Sequence, residues 1–204
     1  MKTKIIFKIL MKILVTAVPG GGKSTVLEYV KKMLPKAKIV TAGDLYLEIA
    51  SKKYGIRDRD ELRKKLTLEQ QREIQEKVAK KIGKMKDKVL FINTHVTIKT
   101  PYGYFHALSE KTMKLMKPDM IILLEFDPKD VLKRRIKDKN RKRDIETLQE
   151  IEEHQTVNRT VALDVASVFE CPVKIIDLRF KEKKPFEQAI KGAEEIVKLV
   201  GLMK

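Results

Sequence analysis

Ile13-Leu14-Val15, followed by Ala17-Val18-Pro19-Gly20-Gly21-Gly22-Lys23-Ser24-Thr25, is the stretch that decides the fold. An apolar strand that breaks into a glycine-rich loop and then starts a helix aims backbone N–H groups, and the positive end of the helix dipole, at one spot. Such a spot suits a polyphosphate. The pattern Gly-x-x-x-x-Gly-Lys-Ser/Thr is met at Gly22, Lys23 and Ser24, with Ala17 standing where the first glycine is usual. Val26, Leu27, Val30, Met33 and Leu34 continue behind it at helical spacing. A flexible glycine turn would explain the loop but not the Lys-Ser pair. In this pattern Lys23 reaches the β and γ phosphates and the Ser24 hydroxyl sits on Mg2+.

Outward from the loop, apolar runs alternate with helical patterns, the signature of a parallel sheet wrapped by helices. Strands are expected at Lys12 to Thr16, Lys38 to Thr41, Val89 to Asn93, Met120 to Glu125 and Val173 to Leu178. The expected fold is therefore α/β, a five-stranded parallel sheet in a single domain, with ligands at the carboxyl ends of the strands. Thr67 with Gln70 and Thr147 with Glu150 read as capping boxes, and Asp127-Pro128 as an N-cap with proline at the first helical position. Between the second and third strands the chain spends its residues on charged helices, expected at Asp44 to Tyr54, Arg59 to Lys65 and Leu68 to Lys84. That is too long for a plain crossover, so residues 44–86 read as an inserted helical subdomain. Residues 138–146 contain a charged turn between two helices.

The chain has 204 residues, 36% of them charged, with no Trp and a formal charge of +17. The charged fraction leans towards a thermophile, where ion-pair networks gain value. The basic excess fits nucleic acid, an anionic membrane or anionic small molecules alike, yet no basic stretch is interleaved with aromatics, which argues against nucleic acid. The single cysteine, Cys171, cannot form an internal disulfide, and a reducing interior is the simplest setting. No run approaches the length needed to cross a bilayer. Residues 1–10 precede a second Met-Lys-Ile at 11 to 13 and read as an extended or mis-chosen start, or else as a short extra strand or arm.

Three further segments carry a specific resemblance: Asn-Thr-His-Val-Thr-Ile-Lys-Thr-Pro-Tyr-Gly-Tyr (93 to 104), Arg-Lys-Arg-Asp-Ile-Glu-Thr (141 to 147) and Ile-Glu-Glu-His-Gln-Thr-Val-Asn-Arg (151 to 159). With the loop they resemble the archaeal type of adenylate kinase, from about Met11 to the final helix. The resemblance implies a P-loop kinase fold with a helical insertion on the AMP side and a short lid. It also implies Mg2+-dependent phosphoryl transfer from ATP to AMP in the cytoplasm, by a homo-oligomer that is often a trimer. Ala17 to Thr25 (Ala17, Val18, Pro19, Gly20, Gly21, Gly22, Lys23, Ser24 and Thr25) match the family's ATP-binding loop. Arg134 and Arg135 match its paired arginine, and Arg141 and Arg143 the arginines of its lid. Lys23, Arg135 and Arg143 are the candidate catalytic residues. Adjacent helix positions point about 100° apart, so at most one of Arg134 and Arg135 is expected to face a shared ligand.

On the acceptor side the candidates are Gly43, where a nucleotide can approach the backbone, Arg63 and Lys99 for the AMP phosphate, and His95 as a hydrogen-bond donor beside the transfer centre. Leu148, Ile151, Gln155, Asn158, Ala162, Val165 and Phe169 share one face of a long helix, which puts two amides on an apolar face. Either these meet a ligand, with Arg159 alongside, or they bond to backbone in the core. His154 reads as structural. Asn93 stands where the family usually carries Asp to hold water ligands of Mg2+; Glu125 or Asp127 could compensate. The rival readings are a kinase of another nucleoside monophosphate and a basic nucleotide-dependent RNA-binding or assembly factor.

Overall fold

The computed structural model describes residues 10–58, 62, 65–100, 103–138 and 146–203. The elements run β1 (Met11–Thr16), α1 (Lys23–Met33), β2 (Lys38–Thr41), α2 (Ala42–Tyr54), α3 (Leu68–Gly83), β3 (Val89–Asn93), β4 (Thr97–Thr100), β5 (Gly103–His106), α4 (Glu110–Met116), β6 (Met120–Phe126), α5 (Pro128–Lys137), α6 (Leu148–Val168), β7 (Val173–Leu178) and α7 (Glu187–Leu202). Five strands form one parallel sheet in the order β2-β3-β1-β6-β7. The winding reverses at β1. Its carboxyl end therefore opens a crevice between β3 and β6, the place where such sheets hold ligands.

Both faces of the sheet are covered, which is why its strands are apolar runs rather than alternating ones. On one face Ile13, Val15, Phe91, Ile122 and Leu124 pack against Val26, Leu27 and Val30 of α1 and Ala193, Ile196 and Val200 of α7. On the other, Leu14, Leu90, Ile92 and Ile121 meet Ile74, Val78 and Ile82 of α3, Met113 of α4, and Ala162 and Val165 of α6. The capping boxes at Thr67 and Thr147 form, and Asp127 caps α5 by accepting from the Lys129 N–H.

Two differences from the sequence reading bear on the site. Helix α2 starts at Ala42 behind Thr41, two residues ahead of the expected start at Asp44, which lies in its first turn. The segment after β3 folds into a β4–β5 antiparallel hairpin, Thr97 opposite His106. Four-residue strands give too short an alternation to register as strands in the sequence. The expected helix at 59 to 65 and residues 1–9 lie largely or wholly outside the described residues.

Lys12 joins the helical insertion to the sheet. Its backbone N–H donates to Asp119 at 2.7 Å, and its ammonium donates to the carbonyls of Gly83 at 2.7 Å and Met116 at 3.2 Å. A cation thus closes the carboxyl ends of α3 and α4, where orphan carbonyls concentrate negative charge. At Gly83 the two helices come so close that a Cβ would stand 2.1 Å from the Leu115 carbonyl oxygen. Gly83→Ala must push α3 and α4 apart and is expected to lower unfolding free energy by about 1–3 kcal/mol or more. Denaturant titration reads this against Gly201→Ala, whose methyl meets nothing within 4 Å, and which is expected to be neutral or stabilising.

Candidate active site

The loop between β1 and α1 is shaped by its glycines. Gly20 and Gly22 take φ of 86° and 101°, and a Cβ on Gly21 would lie 2.9 Å from the Phe126 ring. Ala17 has no positive φ and is fully buried, so its methyl is accommodated at the first position of the pattern.

Three carbonyls of the loop are held from outside. Ala17 O lies 3.2 Å from His95 Nδ1, Pro19 O accepts from Arg135 Nε at 2.8 Å, and Gly21 O accepts from Arg134 Nη1 at 2.7 Å. A carbonyl is only an acceptor, so the first contact assigns the His95 proton to Nδ1. Each arginine is in turn fixed. Arg134 stands 5.1 Å from the Phe126 ring and donates to Gln188, itself bonded to Asp130 at 3.0 Å and to the Phe180 carbonyl at 2.6 Å. Arg135 pairs with Glu146 at 2.7 Å in a nearly dry setting. The expectation that at most one of the two arginines faces the site is corrected: both reach the loop and line the cavity above it. Long side chains diverging from neighbouring positions converge again on a loop that curves across the start of α1.

Lys23 is buried, and its ammonium donates to the Thr94 carbonyl just beyond β3. Burial draws this ammonium down from 10.5 to about 7. Ser24, by contrast, is exposed to the cavity. The cavity is about 690 Å3 and continues from the loop past Asn93, Thr94 and His95, with Gly43 and Lys99 on its far wall. Lys99 pairs with Glu150 at 2.8 Å. Beyond Gly43 the cavity ends in a slot between α2, α3 and α4, walled by Tyr46, Val78, Ala79, Leu108 and Met116, with Gln71 and Gln75 at its edge. Sequence reasoning missed this slot, because residues from three helices compose it; the only local signal was two glutamines one helical turn apart.

Not all the candidates come together. Gln155 and Arg159 do not line the cavity. Gln155 Oε1 accepts from the Phe126 N–H at 2.9 Å, and Arg159 pairs with Glu125. Glu125 is buried at the end of β6 and also takes Arg179 at 3.1 Å, while Arg179 reaches Glu152 at 3.1 Å. Asn158 accepts from Thr97 N at 3.2 Å and Thr97 Oγ1 at 2.7 Å. The amides on the apolar face of α6 thus bond to the protein through their oxygens, and Gln155 also donates to Glu152 at 3.1 Å, while Asn158 Nδ2 is left without a partner among the described residues. Arg63, Arg141 and Arg143 lie outside the described residues.

A parallel sheet of this order, with a glycine loop, a buried lysine and a cavity running on into a helical insertion, defines a phosphate-loop kinase. A family model described as an AAA domain matches residues 16–152. The chain is 46% identical to an adenylate kinase of Pyrobaculum aerophilum, over 93% of this chain and 96% of that one. It is 39% identical to an adenylate kinase of Pyrococcus horikoshii, over 93% and 95%. Among solved structures, shikimate kinase from Acinetobacter baumannii, in complex with shikimate, superposes with a TM-score of 0.62 at 16% identity, covering 97% of each chain, a likeness of fold alone. The chain belongs to the adenylate kinase family and is an ATP:AMP phosphotransferase. No helix among the described residues is long and apolar enough to cross a membrane.

The Lys23 shift has a measurable sign. Its folded value lies below that of free lysine, so the uncharged form is favoured in the empty site, and Lys23's contribution to folding stability rises with pH between about 7 and 10.5. A bound polyphosphate reverses this by favouring the ammonium. Nucleotide binding at pH 8 is therefore expected to be accompanied by proton uptake, and affinity should fall as pH rises above 7. Calorimetric titration with ATP in two buffers of different ionisation enthalpy measures the uptake, and Lys23→Met should remove it.

Proposed function

We propose that the cavity holds both nucleotides at once, ATP over the glycine loop and AMP against the helical insertion, and that the γ-phosphoryl passes between them in line above Lys23. The observation that carries this reading is the contact between Lys23 and the Thr94 carbonyl, which makes the phosphate loop and the carboxyl end of β3 two walls of one chamber. Phosphoryl transfer is mostly positioning and charge stabilisation. The N–H groups of the loop cradle the donor phosphates, apart from Pro19, which has none, and Gly21, which donates to the Val18 carbonyl at 3.1 Å, and Lys23 leaves Thr94 for the β and γ oxygens. Arg134 and Arg135 brace the loop and offer their remaining N–H groups to the same oxygens, joined by Arg141 and Arg143 of the lid. On the acceptor side Lys99 and Arg63 take the AMP phosphate, Gly43 lets the nucleotide approach α2, and His95 holds the loop at Ala17.

Membership of the family implies use of Mg2+ with ATP. Among the described residues no group of three or more His, Cys, Asp or Glu converges on a metal position, and Glu125 and Asp127 are committed to arginines and to the cap of α5. The neutral oxygens that line the cavity, the Ser24 hydroxyl and the Asn93 side chain, suit an ion that takes most of its ligands from phosphates and water. Mg2+ bound there would neutralise charge on the transferring group, held by Ser24 directly and by Asn93 through water. The enzyme works in the cytoplasm as a homo-oligomer, a trimer by resemblance, with exposed Leu163 and Val168 on α6 as apolar contact surface.

The acceptor base occupies the slot between α2, α3 and α4. Within it Tyr46 donates to the Gln71 carbonyl and the Gln71 amide to the Leu66 carbonyl, whereas the Gln75 amide makes no hydrogen bond among the described residues. An amide can both accept from the exocyclic amino group of adenine and donate to its ring nitrogen. ATP, Mg2+ and each nucleoside monophosphate in turn should give diphosphate fastest with AMP; no ADP above the ATP-alone control would overturn the reading. Gln75→Glu presents two acceptors and no donor, which matches guanine, so the ratio of kcat/KM for AMP over GMP is expected to fall about tenfold or more.

A further inference from the structure

His154 is a buried polar side chain that the site described so far does not use; Thr16 Oγ1 and Asn158 Nδ2 are also buried without partners among the described residues. It lies on α6 with 1% exposure, and neither ring nitrogen makes a hydrogen bond of good geometry among the described residues, the Thr97 backbone lying only near enough to favour the protonated ring. Gln155 and Asn158, its neighbours on the helix, each bond to another part of the fold. The imidazole is tilted against Tyr104, with ring centroids 5.1 Å apart, and forms part of the cavity wall together with Lys99, Arg135 and Glu146. An orphaned polar group in a dry setting destabilises the folded state. Phenylalanine would fill the same volume against Tyr104 without that cost.

The surroundings say what the ring meets. Burial lowers the imidazole below its ordinary value, Glu146 and the Thr97 backbone oppose this, and Arg135 and Lys99 act in the same direction as burial. A neutral imidazole keeps one N–H donor. The two cations beside it are already paired, Arg135 with Glu146 and Lys99 with Glu150. An anionic oxygen entering between them would find two charges and, from the ring, an uncharged donor that adds no repulsion to the pair.

We propose that His154 is a substrate-contacting residue, its ring N–H donating to a phosphate oxygen of the acceptor nucleotide between Lys99 and Arg135. The inference rests on the reading of the cavity as a two-nucleotide site. Entry of the phosphate draws the Lys99 ammonium off Glu150. Tyr104, bonded to Glu153 at 2.9 Å, keeps the back of the ring covered.

The test compares His154→Phe with His154→Gln, which retains an N–H donor. In His154→Phe, kcat/KM for AMP is expected to fall roughly ten- to hundredfold, the range for a hydrogen bond to a charged group, with the KM for ATP little changed. His154→Gln recovers part of the loss. Calorimetry with AMP and with adenosine separates a phosphate contact from a general defect: the phenylalanine variant loses affinity for AMP and keeps that for adenosine. Its melting temperature holds or rises, because an unpaired polar group has gone. Unchanged AMP kinetics, or equal loss of AMP and adenosine, would overturn the proposal. Failure of the wild-type enzyme to use AMP would instead overturn the two-nucleotide reading.

Discussion

The carbonyls of Ala17, Pro19 and Gly21 are held from outside by His95, Arg135 and Arg134, and the rest of the site depends on that. A glycine-rich loop has conformational freedom to lose on ordering, and a loop with its carbonyls free could turn them towards an incoming phosphate. Holding alternate carbonyls on protein donors disposes the intervening N–H groups towards the cavity before any ligand arrives. The cost of ordering is met in folding, which is the physical content of preorganisation. The donors come from two different places, the segment after β3 and helix α5, so the loop is sensitive to both.

That dependence explains the lengths to which the fold goes in anchoring those donors. Arg134 is tied through Gln188 to the start of α7, and Arg135 through Glu146 to the approach to α6. Helix α6 is stitched to the sheet by Gln155 on Phe126 and Arg159 on a buried Glu125 shared with Arg179, and to the β4–β5 hairpin by Asn158 on Thr97. A buried carboxylate with two guanidinium partners is weak evidence for net stability, since desolvation opposes the attraction, but it fixes how three elements meet. Phe126, held by Gln155 through its N–H, is the ring on which Gly21 and Arg134 rest. The phosphate loop thus stands on a scaffold that reaches to the far end of the chain.

Much of this was legible in the sequence where the signal is local. The strands are runs of Ile, Leu and Val that need no partner to be recognised, the caps at Thr67, Asp127 and Thr147 are short-range hydrogen-bond patterns, and the loop carries its own geometry in Gly20, Gly22 and Lys23. The hairpin after β3 was not legible, because its four-residue strands are defined by each other and not by a period. Nor was the fate of Gln155 and Arg159, since periodicity says which face a residue shares but not whether the partner across that face is a nucleotide or the Phe126 backbone. Both arginines reach the loop because the loop curves, and the spacing of two adjacent residues holds no record of that. The acceptor slot is assembled from α2, α3 and α4, none of which marks it alone.

The central claim is that one chamber, with Lys23 and Thr94 at its waist, holds two nucleotides end to end. Two adenosines joined by five phosphates span both halves in a single molecule. Calorimetric titration with that compound should show one bound per chain and, on the loaded protein, no remaining binding of either ATP or AMP. Two bound per chain, or an AMP site still open once the compound is in place, would contradict it.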